Sequence, residues 1–219
     1  MNDLEPHAAA DARSILSEIR WQVGNSYALI RSIIRWSAES ATTVDSYAWH
    51  LEGRMDVIGR IILAVMRNPA ASFDLAHLVE DELNDQHASD GRNAWSLNGP
   101  LVRLNTPAAQ VMGLLFHELV TNSIEHGALG LDEGGELRVS WRIEPESEGT
   151  EAMLHLEWIE RGVPASLNRE GFGSMVLKEM FRYQLDGSAR RELDRQGVRI
   201  SLTVPMHNLV RDHEPPARN

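Results

Sequence analysis

Apolar residues recur at three- and four-residue spacing in the first third of the chain and alternate at two-residue spacing in much of the rest. Ile15, Ile19, Val23, Ser26, Ile30 and Ile33 fall on one helical stripe, as do Tyr47, Leu51, Met55, Ile58, Ile62 and Val65. Between the stripes, the segment from Ser40 to Asp45 offers Thr and Asp as helix caps. The pattern predicts two long antiparallel helices over residues 11–68, preceded by a flexible segment, residues 1–10. A lone hairpin leaves much of each stripe wet, so two copies are expected to pair as a homodimeric four-helix bundle. Asn68-Pro69 ends the second helix, because proline has no amide hydrogen to donate and restrains the residue before it.

Past residue 70 the period changes. Leu75 to Asn84 reads as a short helix, and Thr106 as cap with Pro107 in the first turn starts another that runs to about His126. Leu137 to Ile143 and Met153 to Glu160 alternate as strands joined by a polar loop. Ser174 to Leu185 reads as a helix ending near Asp186-Gly187. Val198, Ile200, Leu202 and Val204 mark a last strand. The tail, residues 207–219 with Pro215-Pro216, is expected to be disordered. The expected class is α+β: the helical hairpin, then an α/β two-layer sandwich over residues 70–206, with helices on one face of a mixed sheet.

Composition narrows the options. The chain has 219 residues, a net charge of −11 and no cysteine. Duplex phosphates would be repelled by that charge, so no nucleic-acid footprint is expected. Disulfides, thiolate metal sites and cysteine nucleophiles are all excluded. No apolar run is long enough to span a bilayer, and Met1 to Pro6 lacks the basic and apolar regions of a signal peptide. A cytoplasmic protein without membrane contact is the expectation.

The candidate chemistry is densest between His117 and Leu129. Projection at 100° per residue sets Asn122 in line with Val111 and Leu115 on the buried side, with Glu118 one turn earlier at the edge of the stripe. An inward Asn needs hydrogen-bond partners. It either bonds nearby backbone or ligates a hydrated divalent cation, since Mg²⁺ keeps waters and takes few protein oxygens. On the strand that ends at Glu160, residues 154, 156, 158 and 160 share one face. That puts Glu160 at the mouth of the same cavity, where a carboxylate accepts a hydrogen bond from an exocyclic amine such as that of adenine. Gly162 lets the backbone approach a flat ligand. Gly171-Phe172-Gly173 precedes a helix, whose free amides and dipole attract phosphate. One Gly-x-Gly alone is an ordinary loop; three such features in order carry more weight.

These segments resemble those of the HWE histidine kinases. His117-Glu118-Leu119-Val120-Thr121-Asn122 with Gly127-Ala128-Leu129 resembles the N-box of that family, Trp158-x-Glu160 its Trp-x-Glu, and Gly171-Phe172-Gly173-Ser174 its last glycine box. The similarity runs from about Leu16 to Pro205. It implies a Bergerat-type domain with ATP and Mg²⁺ as cofactors: Asn122 on the metal, Glu160 on the adenine amine, and Gly162, Gly171, Gly173 and Ser174 around the nucleotide. It also implies Glu118 as a catalytic carboxylate, Arg169 as the one cation of a short lid from Ala165 to Glu170, and a response-regulator receiver domain as partner.

The chain departs from that family where phosphate would be handled. The family carries His-Arg-x-x-Asn on its first helix; here the residues are Trp21-Gln22-Val23-Gly24-Asn25. An imidazole nitrogen takes up a phosphoryl group, whereas indole has no comparable lone pair. Trp21 therefore rules out self-phosphorylation at the usual position. Gly24, in place of the usual Lys, costs the helix roughly 1 kcal/mol relative to Ala. The usual Lys three residues after Asn122 is replaced by Glu125, which repels phosphate.

The reading that follows is a kinase-like regulator that binds Mg-ATP and acts on a receiver domain by docking or dephosphorylation. Trp21, with Ser32 and Trp36 on the same side, is expected to face solvent as a docking surface. Asn25, four residues on, is expected to orient a water for dephosphorylation. With about ten residues ahead of the first helix, input is expected to arrive through a partner. Two alternatives stay open: an interaction scaffold with a vestigial pocket, and an active kinase using another acceptor. His50 and His117 read as surface or packing histidines.

Overall fold

The computed structural model describes residues 20, 23–24, 26–35, 37–38, 41, 43–85, 94–132, 134–147, 149–163, 180–194 and 197–210. The chain divides into two units, Met1–Ala71 and Ser72–Asn219.

In the first unit, residues 26–35 are helical, and helix α1 spans Val44–Arg67. Thr43 caps α1, its Oγ1 accepting from Ser46 N at 3.1 Å. At the other end Asn68 Oδ1 accepts from Ala70 N, so a side-chain turn carries the chain into Pro69. The buried stripes are rotated from those expected. Ser26, Leu29, Ile33 and Ser37 are buried on the first segment, while Val23 is 61% exposed and Ile30 is half-buried. On α1 the buried residues are Arg54, Val57, Ile58, Ile61 and Val65, and Tyr47, Leu51, Met55 and Ile62 are half-buried. One polar contact explains why an arginine joins that stripe: Arg54 Nη1 donates to Ser37 Oγ at 2.7 Å and ties the two helical segments. A buried guanidinium without such partners would be costly. The expected start of the first helix near residue 11 lies outside the described residues.

The second unit is built on a sheet of five strands. In chain order its elements are β1 (Phe73–Asp74), α2 (Leu75–Asp85), β2 (Ala94–Asn98), β3 (Arg103–Leu104), α3 (Thr106–His126), a 3₁₀ turn (Ala128–Gly130), β4 (Glu136–Glu144), β5 (Met153–Arg161), α4 (Phe181–Leu185), β6 (Ser188–Asp194), β7 (Gly197–Pro205) and α5 (Met206–Leu209). The sheet order is β2-β4-β5-β7-β6; β2 runs parallel to β4, and every other pairing in it is antiparallel. β1 and β3 form a separate two-residue pair.

Alternation sorts the sheet into two faces. Leu137, Val139 and Trp141 of β4 are buried, as are Leu154, Leu156 and Trp158 of β5 and Ile200, Leu202 and Val204 of β7. The opposite face carries ion pairs instead, Arg199 Nη1 with Glu157 Oε1 at 3.0 Å and Arg138 Nη2 with Glu136 Oε1 at 3.1 Å. Helix α3 completes the core: every residue from Ala108 to Thr121 is buried. Each large apolar side chain so buried contributes about 1.5–3 kcal/mol. This is the mixed sheet with helical cover that the alternation predicts.

Two boundaries are corrected. Asn105, not Thr106, caps α3: its Oδ1 accepts from Ala108 N at 2.9 Å, while buried Thr106 Oγ1 has no partner among the described residues. The chain from residue 207 is not loose at its start, since Met206–Leu209 forms a helical turn that docks. Asn105 N donates to Leu209 O at 2.7 Å, and Asn208 Nδ2 to Leu185 O at 3.1 Å. Of the helix expected from Ser174, the described part is Phe181–Leu185 with Met180 before it; Asp186 ends it in a left-handed conformation, φ 49°.

Candidate functional site

The last turn of α3 leaves the core, and the candidate residues lie on it and around the turn that follows. Asn122 is exposed, with Nδ2 donating to Glu118 O at 2.7 Å. That bond fixes the amide plane, and Oδ1 has no protein partner among the described residues. Asn122 is therefore not on a buried side, contrary to the projection. Because α3 is covered all round up to Thr121, angular position carries no information there. Position along the axis decides instead, and the helix emerges at residue 122. A neutral amide oxygen held outward suits a cation that keeps most of its waters.

Glu118 is only 5% exposed, and its backbone carbonyl orients Asn122. One residue earlier, His117 Nδ1 lies 2.9 Å from Glu82 Oε2 of α2, both side chains buried. Glu125, three residues past Asn122, is exposed, and its Oε2 lies 3.7 Å from His126 Nε2.

Glu160 does not stand at a cavity mouth with a free carboxylate. It is 6% exposed, and both oxygens are engaged: Oε1 accepts from Trp158 Nε1 and Oε2 from Ala128 N, each at 2.8 Å. The strand period puts Trp158 and Glu160 on one face, so a buried indole donor finds its acceptor two residues on. Each carboxylate oxygen has a second lone pair, so a further donor such as an amine still fits the donor set. Gly162 is explained by the protein itself. Its φ is 84°, and a Cβ there would come within 2.8 Å of Gly134 O. The close approach expected for a flat ligand is made by the Gly134 backbone.

Sequence reasoning missed Ser123 and Ala128. Ser123 is fully buried; its Oγ accepts from Leu129 N at 3.3 Å and its carbonyl from Gly127 N at 2.9 Å. The legible signal was a tryptophan read as core whose N–H had to be satisfied, with a carboxylate at strand spacing. Arg169, Gly171, Gly173 and Ser174, and likewise Trp21, Asn25 and Trp36, lie outside the described residues. The structure thus places Glu118 and Asn122 in hydrogen-bond contact near the end of α3, and Glu160 against the turn that follows.

Residues 18–101 match the family model of the HWE histidine kinases. A blue-light-activated histidine kinase of Rhizobium johnstonii is 26% identical over 198 residues, covering 90% of this chain and 54% of that protein. Blue-light-activated histidine kinase 1 of Erythrobacter litoralis is 27% identical over 213 residues, covering 93% of this chain and 56% of its own. The chain spans about half the length of the curated relatives it matches. Among solved structures, the histidine kinase domain of an Erythrobacter litoralis blue-light-activated histidine kinase superposes with a TM-score of 0.59 at 20% identity, covering 90% of this chain and 96% of that one. The fold is that of a histidine kinase domain.

Proposed function

We propose that this chain, whose residues 18–101 match the HWE histidine kinase model, works as a member of that family that binds Mg-ATP and regulates a response-regulator receiver domain without phosphorylating itself at the usual position. In this reading Asn122 takes the metal, Glu160 lies beside the adenine amine, and Gly162, Gly171, Gly173, Ser174 and Arg169 surround the nucleotide. Mg²⁺ would screen the phosphate charge beside Glu125. Residues 11–68 pair two copies into a bundle, and the Trp21 face of that bundle docks the receiver in the cytoplasm. Asn25 orients a water there for dephosphorylation.

The observation that carries the reading is the Asn122 amide, oriented by Glu118 O and presenting Oδ1 outward at the end of a buried helix. Calorimetry with Mg-ATP is expected to give heat with the wild type and none with Asn122→Ala. No heat from the wild type would end the reading. A scaffold with a vestigial pocket is the second reading, favoured by the exposed Glu125 and by a Glu160 already bonded at both oxygens. Capture of receiver domains by the wild type but not by Trp21→Ala, with no nucleotide bound, would select it.

A further inference from the structure

Trp158 is among the largest fully buried side chains, and its indole N–H has no water to turn to. Glu160 Oε1 receives it at 2.8 Å, while Oε2 receives the amide of Ala128, the first residue of the 3₁₀ turn after α3. The fit is close: a side chain at Gly127 would strike Oε2. Ser123 holds the same turn from the other side, through Gly127 N and Leu129 N. Asn122 is the residue before Ser123.

We infer that Trp158 and Glu160 form a positioning clamp: the indole holds the carboxylate, the carboxylate holds the amide of Ala128, and the turn so seated fixes the last helical turn that presents Asn122. Glu160 thereby acts on the metal end of the site through the backbone, whatever it contributes to the base. The inference rests on the reading of Asn122 as a Mg-nucleotide ligand and adds a positioning pair to it.

The chemistry of the clamp makes it separable from simple packing. A carboxylate accepts at both oxygens and so satisfies two donors. In Glu160→Gln one end becomes an NH₂, which sets donor against donor at either Trp158 or Ala128. Trp158→Phe removes one of those donors. With both changes, the Gln oxygen is free to turn to Ala128. The second change should therefore relieve the first, whereas two packing defects would add.

The test uses the full chain as wild type, Glu160→Gln, Trp158→Phe and the double variant, read by Mg-ATP calorimetry across a Mg²⁺ series and by amide exchange at Ala128. Glu160→Gln is expected to weaken nucleotide binding about tenfold and to speed Ala128 exchange by a similar factor. Its Mg²⁺ half-point should rise, which loss of an adenine contact alone would not cause. The double variant should return to within about threefold of Trp158→Phe. Unchanged exchange at Ala128 in Glu160→Gln, an unmoved Mg²⁺ half-point, or a double variant no better than Glu160→Gln, would overturn the clamp. If Glu160→Gln fails to fold, folding of the double variant supports the clamp and its failure overturns it. If the wild type binds no nucleotide, the ATP reading falls, and the exchange pattern at Ala128 across the four proteins decides the clamp by itself.

Discussion

His117 Nδ1 and Glu82 Oε2 meet at 2.9 Å in the core and join α3 to α2 just before the turn that carries Asn122. Neither group has solvent to fall back on when its partner is removed. Glu82→Ala is expected to cost about 2 kcal/mol in urea unfolding. A cycle with His117→Ala should show a coupling of roughly 1 kcal/mol or more. Strictly additive losses would mean that the two side chains stabilise the core separately.

Restoring the missing imidazole tests the assignment of Trp21. With γ-labelled ATP, the wild type is expected to take up no acid-labile, base-stable label, and Trp21→His to acquire it. Label on the wild type would instead point to an acceptor elsewhere in the chain. Gly24 weakens this helix, so the variant is best read together with Gly24→Lys.

Reversing the charge at Glu125 tests the electrostatics at the metal end. Glu125 is exposed three residues beyond Asn122. Glu125→Lys is expected to tighten Mg-ATP binding about three- to tenfold at low salt, with the gain shrinking as ionic strength rises. Equal affinity at all salt concentrations would place the phosphates away from this turn.

The polar face of the sheet supplies a pH prediction. A hydrogen bond from Arg142 and the charge of His155 hold the Glu144 carboxyl below its ordinary value. Its contribution to stability is present above that value and lost as pH falls through the lowered folded one. Glu144 is fully exposed, so the effect on the whole fold is slight. NMR titration should place its midpoint below that of an unpaired glutamate, and Arg142→Ala should raise it. A midpoint indifferent to Arg142 would refute the pairing.

Much of this architecture is legible in the chain, for identifiable reasons. The strands around Val139, Leu156 and Leu202 alternate cleanly because one face is buried and the other wet. β6 escaped notice because Ser188 to Leu193 is exposed throughout, so no apolar alternation marks it. β2 is an edge strand whose Trp95 and Leu97 are only half-buried. The cap of α3 was read one residue late because Thr106 is a good capping type, and choosing Asn105 required knowing where the chain turns. At the site, the spacing of Trp158 and Glu160 was visible, yet the amide of Ala128 that takes the second oxygen lies thirty-two positions away. Periodicity within one strand holds no information about that partner.

The exposed outer strand has a consequence for crowding. β6 ends the sheet, and the outer edge of such a strand is a template on which another molecule can extend the ladder. Arg190, Arg191 and Glu192 sit along that rim. A second strand laid there would have to strip water from three ionised groups before its first amide paired. The same charged run that hid this strand from a hydropathy reading makes it a costly rim for a neighbouring molecule to pair with.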